Sequence, residues 1–506
     1  MLVIALTDAH SPVLAGACPA RGEPIGPGVI ILPMRKIIVS ALLLLPLHLA
    51  ADGLPDLGDA SQTEVSPLME RQIGEQSMFQ IRASERYLDD LELTGYLNRL
   101  GRRLVAHSSE SGQPFEFFVL EDSAINAFAL PGGFIGVNTG LILLAQSESE
   151  LASVLSHEIS HVTQHHLARM VSGQKYDSLA AMATVAVAIL AARNSPQAAQ
   201  AGIIGAQGGL VQRQLDFTRE YEKEADRIGL GLLQRAGYDP YAMPSFFERL
   251  QRATQLVEGD TPSYLRTHPL TTERVADVGN RVQQIPFKLV EDSLDFQLMR
   301  ARVIAAQKTP HDAIEYFQSA LGDKKYGNPL AHRYGLVLAL IRNKENSRAA
   351  QEFATLYRTA PANATLTTLA GIIKQTEGQD QNILDFYRSA LKQYPNHQAL
   401  VFDYVTVLLN QHHYAEALDV LDKEIARDGN NAKLYELQAR AYTALGRHQE
   451  AHHVLAYFQI LHGNLRGAVE QLELAKLAGN DYYQLSTIET ELKQYREILD
   501  AQRKRR

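Results

Sequence analysis

The chain has 506 residues, enough for two to four domains with separate cores, and its 45% hydrophobic and 21% charged content suits folded globular domains, not a disordered or polytopic membrane chain. Lys and Arg number 49 against 57 Asp and Glu, a net charge of −8, so the basic excess that nucleic-acid binding brings is missing. The single cysteine, Cys18, excludes an intrachain disulfide framework and any zinc site built from several thiolates, which leaves histidines and carboxylates to hold a metal.

Met34-Arg35-Lys36, the almost wholly apolar stretch 37–49 and Ala50-Ala51-Asp52 have the layout of a cleavable secretory signal peptide over 34–51. The apolar stretch, interrupted by Pro46, is too short to cross a bilayer, which takes about 20 residues. A signal that starts at Met34 makes residues 1–33 an upstream extension from a misassigned start codon.

Residues 64–107 carry helical spacing, with Leu88, Leu91, Leu97, Leu100 and Leu104 on one face. A strand is predicted over 115–120, and the extended runs 127–130 and 134–138, joined by Pro131-Gly132-Gly133, form a hairpin. Ser147 with Glu150 three residues on is a capping box, and it opens a helix whose buried face is Leu151, Val154, Leu155, Ile159 and Val162. The small apolar stretch 178–192 and the Gly-rich 195–209 are either a buried helix and a loop, or a mobile lid or membrane-touching segment.

From about residue 289 the chain turns to helix pairs with a period of 34: Ala349, Ile383, Ala417 and Ala451 are so spaced, as are Pro361, Pro395 and Gly429. That is the tetratricopeptide period, in which a small residue lets two helices approach and proline or glycine ends the second. The absence of tryptophan and an out-of-phase unit near Ala468 leave the count at four or five repeats.

His157-Glu158-Ile159-Ser160-His161 lies on the capped helix. Two histidines four apart share a helical face and can ligate one zinc, while the glutamate between them can polarise a water as general base. A third histidine of the metzincin kind would fall at position 167, which is Leu167, and Gln164 stands where that motif has glycine. Glu222-Lys223-Glu224-Ala225-Asp226 lies on a second helix with Glu222 and Asp226 on one face. Glu222 is the expected third ligand, giving the His-His-Glu set of a gluzincin, with Glu224 or Glu220 as alternatives. Asp226 then accepts from the remote N–H of a ligand histidine.

His157 to His161, Glu222 to Asp226 and the run Asn126-Ala127-Phe128-Ala129-Leu130-Pro131-Gly132-Gly133 resemble the CAAX-prenyl-protease and HtpX-like zinc metallopeptidases. With tetratricopeptide repeats behind a signal peptide, the chain is similar to the periplasmic members of that family. The resemblance implies one zinc held by His157, His161 and Glu222, and Glu158 as general base. It also implies an envelope protease and chaperone that handles unfolded or misassembled outer-membrane proteins and meets their assembly machinery through the repeats. The Asn126, Ala127, Phe128 and Ala129 stretch is a candidate sheet edge for an extended substrate. His268 is a candidate fourth ligand that blocks the site, a donor to the transition state, or a helix cap, and Arg274 a candidate anchor of its loop. His165 and His166 are read as surface residues. The expected fold is an α+β gluzincin metallopeptidase domain over 64–284, mostly helical with a small sheet, followed by an all-α tetratricopeptide repeat solenoid over 289–495.

Overall fold

Short polar side chains start the first helices. In the computed structural model, Ser66 Oγ accepts the Met69 N–H at 3.2 Å and Pro67 follows at N1, opening α1 (Pro67–Arg82). Asp90 Oδ1 accepts the N–H of Glu92 and of Leu93, at 3.0 and 3.1 Å, to open α2 (Leu91–Val105). The single helical stretch expected over 64–107 is therefore two helices; Leu97, Leu100 and Leu104 of the predicted face are buried, while Leu88 and Leu91 are partly covered. The structure describes residues 66–171, 208–255, 262–325, 327–378, 382–427 and 429–505, all within one compact unit, Asp59–Arg506. The extension 1–33, the signal peptide 34–51 and the stretch 178–192 lie outside the described residues, as does 195–209 except that Gly208 and Gly209 begin a helix.

Three strands, β1 (Glu116–Leu120), β2 (Ala127–Leu130) and β3 (Phe134–Asn138), form a sheet in the order β1-β3-β2. β1 runs parallel to β3, with Glu116 opposite Phe134, and β2 runs antiparallel to it, with Ala127 opposite Val137. The hairpin turn has Gly132 at φ 75° and Gly133 at φ 88°. A Cβ on Gly132 would come within 2.5 Å of Arg71 Cα, so only glycine fits where α1 crosses the turn. The outer edge of β1 is covered near its start by a side chain, since Asn98 of α2 donates to Phe117 O at 2.7 Å and accepts the Phe117 N–H at 3.2 Å, and near its end by backbone, where the Leu88 N–H donates to Val119 O at 3.0 Å.

The chain continues through α3 (Thr139–Leu144), α4 (Glu148–Thr163), α5 (His166–Val171), α6 (Gly208–Arg235), α7 (Ala242–Gln255), α8 (Ser263–Thr267) and α9 (Thr272–Val282). α4 is central, packed by α2, α6, α7 and the sheet, and every residue of it except His161 is buried. α6 approaches closely because it presents Gly229, where an added Cβ would lie 3.1 Å from the backbone of Ser156 and His157.

Among the described residues twelve helices follow in six pairs: α10 (Leu294–Gln307) with α11 (Pro310–Gly322), α12 (Pro329–Arg342) with α13 (Asn346–Thr359), α14 (Ala364–Thr376) with α15 (Ile383–Gln393), α16 (Gln398–Asn410) with α17 (Tyr414–Arg427), α18 (Ala432–Ala444) with α19 (His448–Leu461), and α20 (Leu465–Ala478) with α21 (Tyr482–Arg505). The 34-spaced Ala349, Ile383, Ala417 and Ala451 are all buried near the starts of second helices, as the close-approach argument requires. Among the described residues no helix is long and apolar enough to cross a membrane.

A buried polar contact ties the α2 start to the repeats. Thr365 Oγ1 of α14 donates to Glu92 Oε2 at 2.7 Å and His397 Nε2, ahead of α16, to Glu92 Oε1 at 3.0 Å. Burial pushes the Glu92 carboxyl up, but the His397 bond and the charges of His397 and Arg302 prevail and hold it at about 2. An unfolded glutamate titrates near 4.3, so this contribution is fully present above that pH and is lost as pH falls through about 2. Glu92→Ala strands His397 in a buried site and is expected to destabilise the fold by about 3–5 kcal/mol. Denaturant unfolding at pH 7 and pH 3 checks this: the gap between wild type and variant should shrink in acid, and equal stability at pH 7 would refute it.

Candidate metal centre

α4 starts on Ser147, whose Oγ accepts the Glu150 N–H at 3.1 Å. The Glu150 carboxylate does not return to Ser147 as a capping box would; it accepts the Gln146 N–H at 2.8 Å and a fork from Arg249 at 2.8 and 3.1 Å. That pairing locks the helix start to α7 and sets the phase at which His157 and His161 emerge.

The structure brings His157, His161, Glu222 and His268 together, each offering one donor atom within 4.8 Å of the others. His157 Nε2 lies 3.0 Å from His161 Nε2, 3.3 Å from His268 Nδ1 and 3.3 Å from Glu222 Oε2. Glu222 Oε1 lies 3.4 Å from His161 Nε2 and 2.9 Å from His268 Nδ1. A tetrahedron with zinc's bonds of 2.0–2.1 Å has edges of about 3.3 Å, so nitrogen and carboxylate donors at these separations fit a four-coordinate divalent cation. Both Glu158 oxygens are buried without a hydrogen-bond partner among the described residues, and the nearer one is 3.4 Å from His268 Nε2. Such a carboxylate is costly to bury unless a cation or a polar group meets it, which agrees with the same fit.

Of the alternatives to Glu222, Glu220 is exposed and pairs with Lys223, and Glu224 meets His166 and Arg169. Asp226 Oδ1 lies 2.9 Å from His157 Nδ1, on the ring edge away from the donor group. Arg274 forks onto Asp226 at 2.6 and 2.8 Å, approaches Glu222 Oε2 at 2.9 Å and donates to Pro269 O at 2.8 Å. Burial pushes the Asp226 carboxyl up, but Arg274 and His157 outweigh it and hold it below the usual range. His268 ends α8, its ring stacked on Tyr264 with centroids 4.7 Å apart, and the Tyr264 N–H donates to Ile125 O at 3.0 Å, just ahead of β2.

Asn126 and Ala127 are buried, and Phe128 and Ala129 are half-buried. The Asn138 N–H donates to Asn126 O, so the register turns the N–H and C=O of Ala127 and Ala129 away from β3.

The reading of His165 and His166 is corrected. His165 and His166 are not surface residues: His166 is buried, and His165 is half-buried between Glu70 at 3.3 Å and Glu110 at 2.9 Å. The helix does not run on; His165 takes φ 48°, ends α4 and turns His166 back beneath His161. The Glu110 and Glu70 carboxylates pull the His165 imidazole up to about 10, making it a cation clamped from two sides in a conformation that costs about 1 kcal/mol for a side chain. No periodicity signals this break, because the left-handed residue is a histidine and not a glycine.

Residues 92–282 match the model of Peptidase family M48. The β-barrel assembly-enhancing protease of Escherichia coli K12 is 32% identical over 429 residues, which cover 84% of this chain and 87% of that one. The protein of the same name from Yersinia pestis is 32% identical over 83% of this chain and 86% of its own. A mitochondrial metalloendopeptidase of Schizosaccharomyces pombe is 32% identical over 37% of this chain and 52% of its own. The clustered histidines and glutamate, the family model spanning them and relatives aligned through the repeats agree: the chain is a metalloprotease that belongs to the family of the β-barrel assembly-enhancing proteases.

Proposed function

We propose that the protein is a periplasmic zinc metalloendopeptidase and chaperone in the quality control and assembly of outer-membrane proteins, degrading unfolded or misassembled chains. The four-donor group beside the orphaned Glu158 carboxylate carries this reading, and the relatives' names supply its setting. In it, His157, His161 and Glu222 hold one zinc per chain, a donor set that also suits cobalt or manganese. When bound, the ion supplies a Lewis acid that lowers the pKa of water and polarises the scissile carbonyl. Glu158 takes a proton from the attacking water as its oxygen bonds the carbonyl carbon, and passes that proton to the amine as the C–N bond breaks. Asp226 holds the His157 ring by its Nδ1–H, and Arg274 keeps Asp226 and Glu222 in register.

The outward N–H and C=O groups of Ala127 and Ala129 would pair with an extended substrate segment, which favours unfolded chains over folded ones. The metallopeptidase domain then covers 64–284, and the repeats over 289–495 recruit outer-membrane proteins or their assembly machinery. A second reading, mainly a chaperone with a latent site, is favoured by one observation: His268 Nδ1 sits among the other three donors, where a fourth protein ligand would displace water. The two combine as an enzyme whose resting site is closed. Metal content tests the ligand assignment. The wild-type chain should retain one zinc and Glu222→Gln should lose it, whereas a fully loaded variant would remove Glu222 from the set.

A further inference from the structure

We propose that His166 is a positioning residue for His161, passing to that ring the hold of Glu224; this rests on the reading of His157, His161 and Glu222 as metal ligands. His161 Nε2 faces the donor group, 3.0 Å from His157 Nε2 and 3.4 Å from Glu222 Oε1. To offer that nitrogen to a cation the ring must carry its hydrogen on Nδ1. His161 Nδ1 lies 2.9 Å from His166 Nδ1, and two ring nitrogens at that distance share one hydrogen, so His166 accepts there. The hydrogen of His166 is then on Nε2, which faces Glu224 Oε2 at 3.2 Å. That oxygen also receives Arg169 Nη1 at 2.9 Å and has only lone pairs to offer. Each link therefore has one polarity: His161 donates to His166, and His166 donates to Glu224.

Packing holds the relay in place. The His166 side chain is 3% exposed, and its ring stacks on Tyr221 with centroids 4.6 Å apart. The Arg169 guanidinium lies 4.8 Å from the Tyr221 ring centroid, so the cation that bonds Glu224 also covers the stack. The clamped left-handed turn at His165 aims His166 back at His161. α6 thus orients both histidines of the pair, His157 directly through Asp226 and His161 through Glu224 with His166 between.

The test is zinc affinity of the full-length protein, measured by competition with a chromogenic chelator. Removing a hydrogen-bond partner of a ligand histidine weakens metal binding by about 10- to 100-fold, the loss expected of His166→Leu. His166→Asn, which keeps an acceptor oxygen near the place of Nδ1, should recover most of it, and Glu224→Gln, which still accepts from His166, should stay within a few-fold of wild type. If His166→Leu does not fold, Glu224→Leu against Glu224→Gln asks the same question, with weakening expected only of the leucine. Wild-type affinity in the leucine variants would overturn the relay, and so would His166→Asn as weak as His166→Leu, since that pattern is loss of packing. Failure of the wild-type protein to bind zinc would instead overturn the metal-site reading on which the relay rests.

Discussion

Glu158→Gln is expected to lower peptide hydrolysis by about 10²- to 10⁴-fold, the range a positioned general base contributes, while leaving zinc content and fold unchanged. The amide has nearly the shape of the carboxylate, so packing in the buried site is preserved, but it cannot take the proton of the attacking water. Metal should be retained because Glu158 is not among the four clustered donors. Both oxygens are buried without a hydrogen-bond partner among the described residues, with His268 Nε2 3.4 Å from the nearer one, so the substitution breaks no hydrogen bond among them. Cleavage of an unfolded polypeptide by the two proteins at equal zinc content checks this, and rates within twofold would take the general-base role from Glu158.

His268→Ala is expected to act in the opposite direction. With Nδ1 3.3 Å from His157 Nε2 and 2.9 Å from Glu222 Oε1, His268 is placed to act as the fourth protein donor of the proposed closed site. A closed form favoured by about 1.4 kcal/mol leaves about one molecule in ten competent, so freeing the fourth position should raise turnover by about tenfold. The ring is held by its stack on Tyr264, and alanine removes the donor together with its contacts to His157 and Glu158 on α4 and to Glu222 on α6. A fall in turnover at unchanged zinc content would assign His268 to the transition state, and no change would leave it the cap at the end of α8.

The parts of the site that were legible in the sequence are those written in local periodicity. His157 and His161 share a face because four residues are about one helical turn, and Glu222 and Asp226 repeat that spacing on α6. The strand edge at β2 followed from two extended runs around Pro131-Gly132-Gly133, and the repeats from their period. Contacts that join distant segments were not legible. Glu224 remained an alternative to Glu222 until the fold put His166 and Arg169 against it. His166 itself was missed because the α4 break at His165 is stabilised by Glu70 and Glu110, which lie 95 and 55 residues away. The cover of the β1 edge by Asn98 and Leu88, and the seating of Glu92 between Thr365 and His397, depend likewise on tertiary packing. Among the described residues the helix pairs number six, and the phase of Ala349, Ile383, Ala417 and Ala451 is lost in the first pair, 294–322, where it falls on Glu315, and in the last, 465–505, where it falls on Leu485.

The most direct test of the account is the rate at which the full-length protein cleaves an unfolded outer-membrane polypeptide, measured as purified, after metal removal by a chelator, and after reloading with zinc. The account predicts that the rate is lost with the metal and returns in proportion to zinc, saturating at one ion per chain. Undiminished cleavage by the metal-free protein would contradict it.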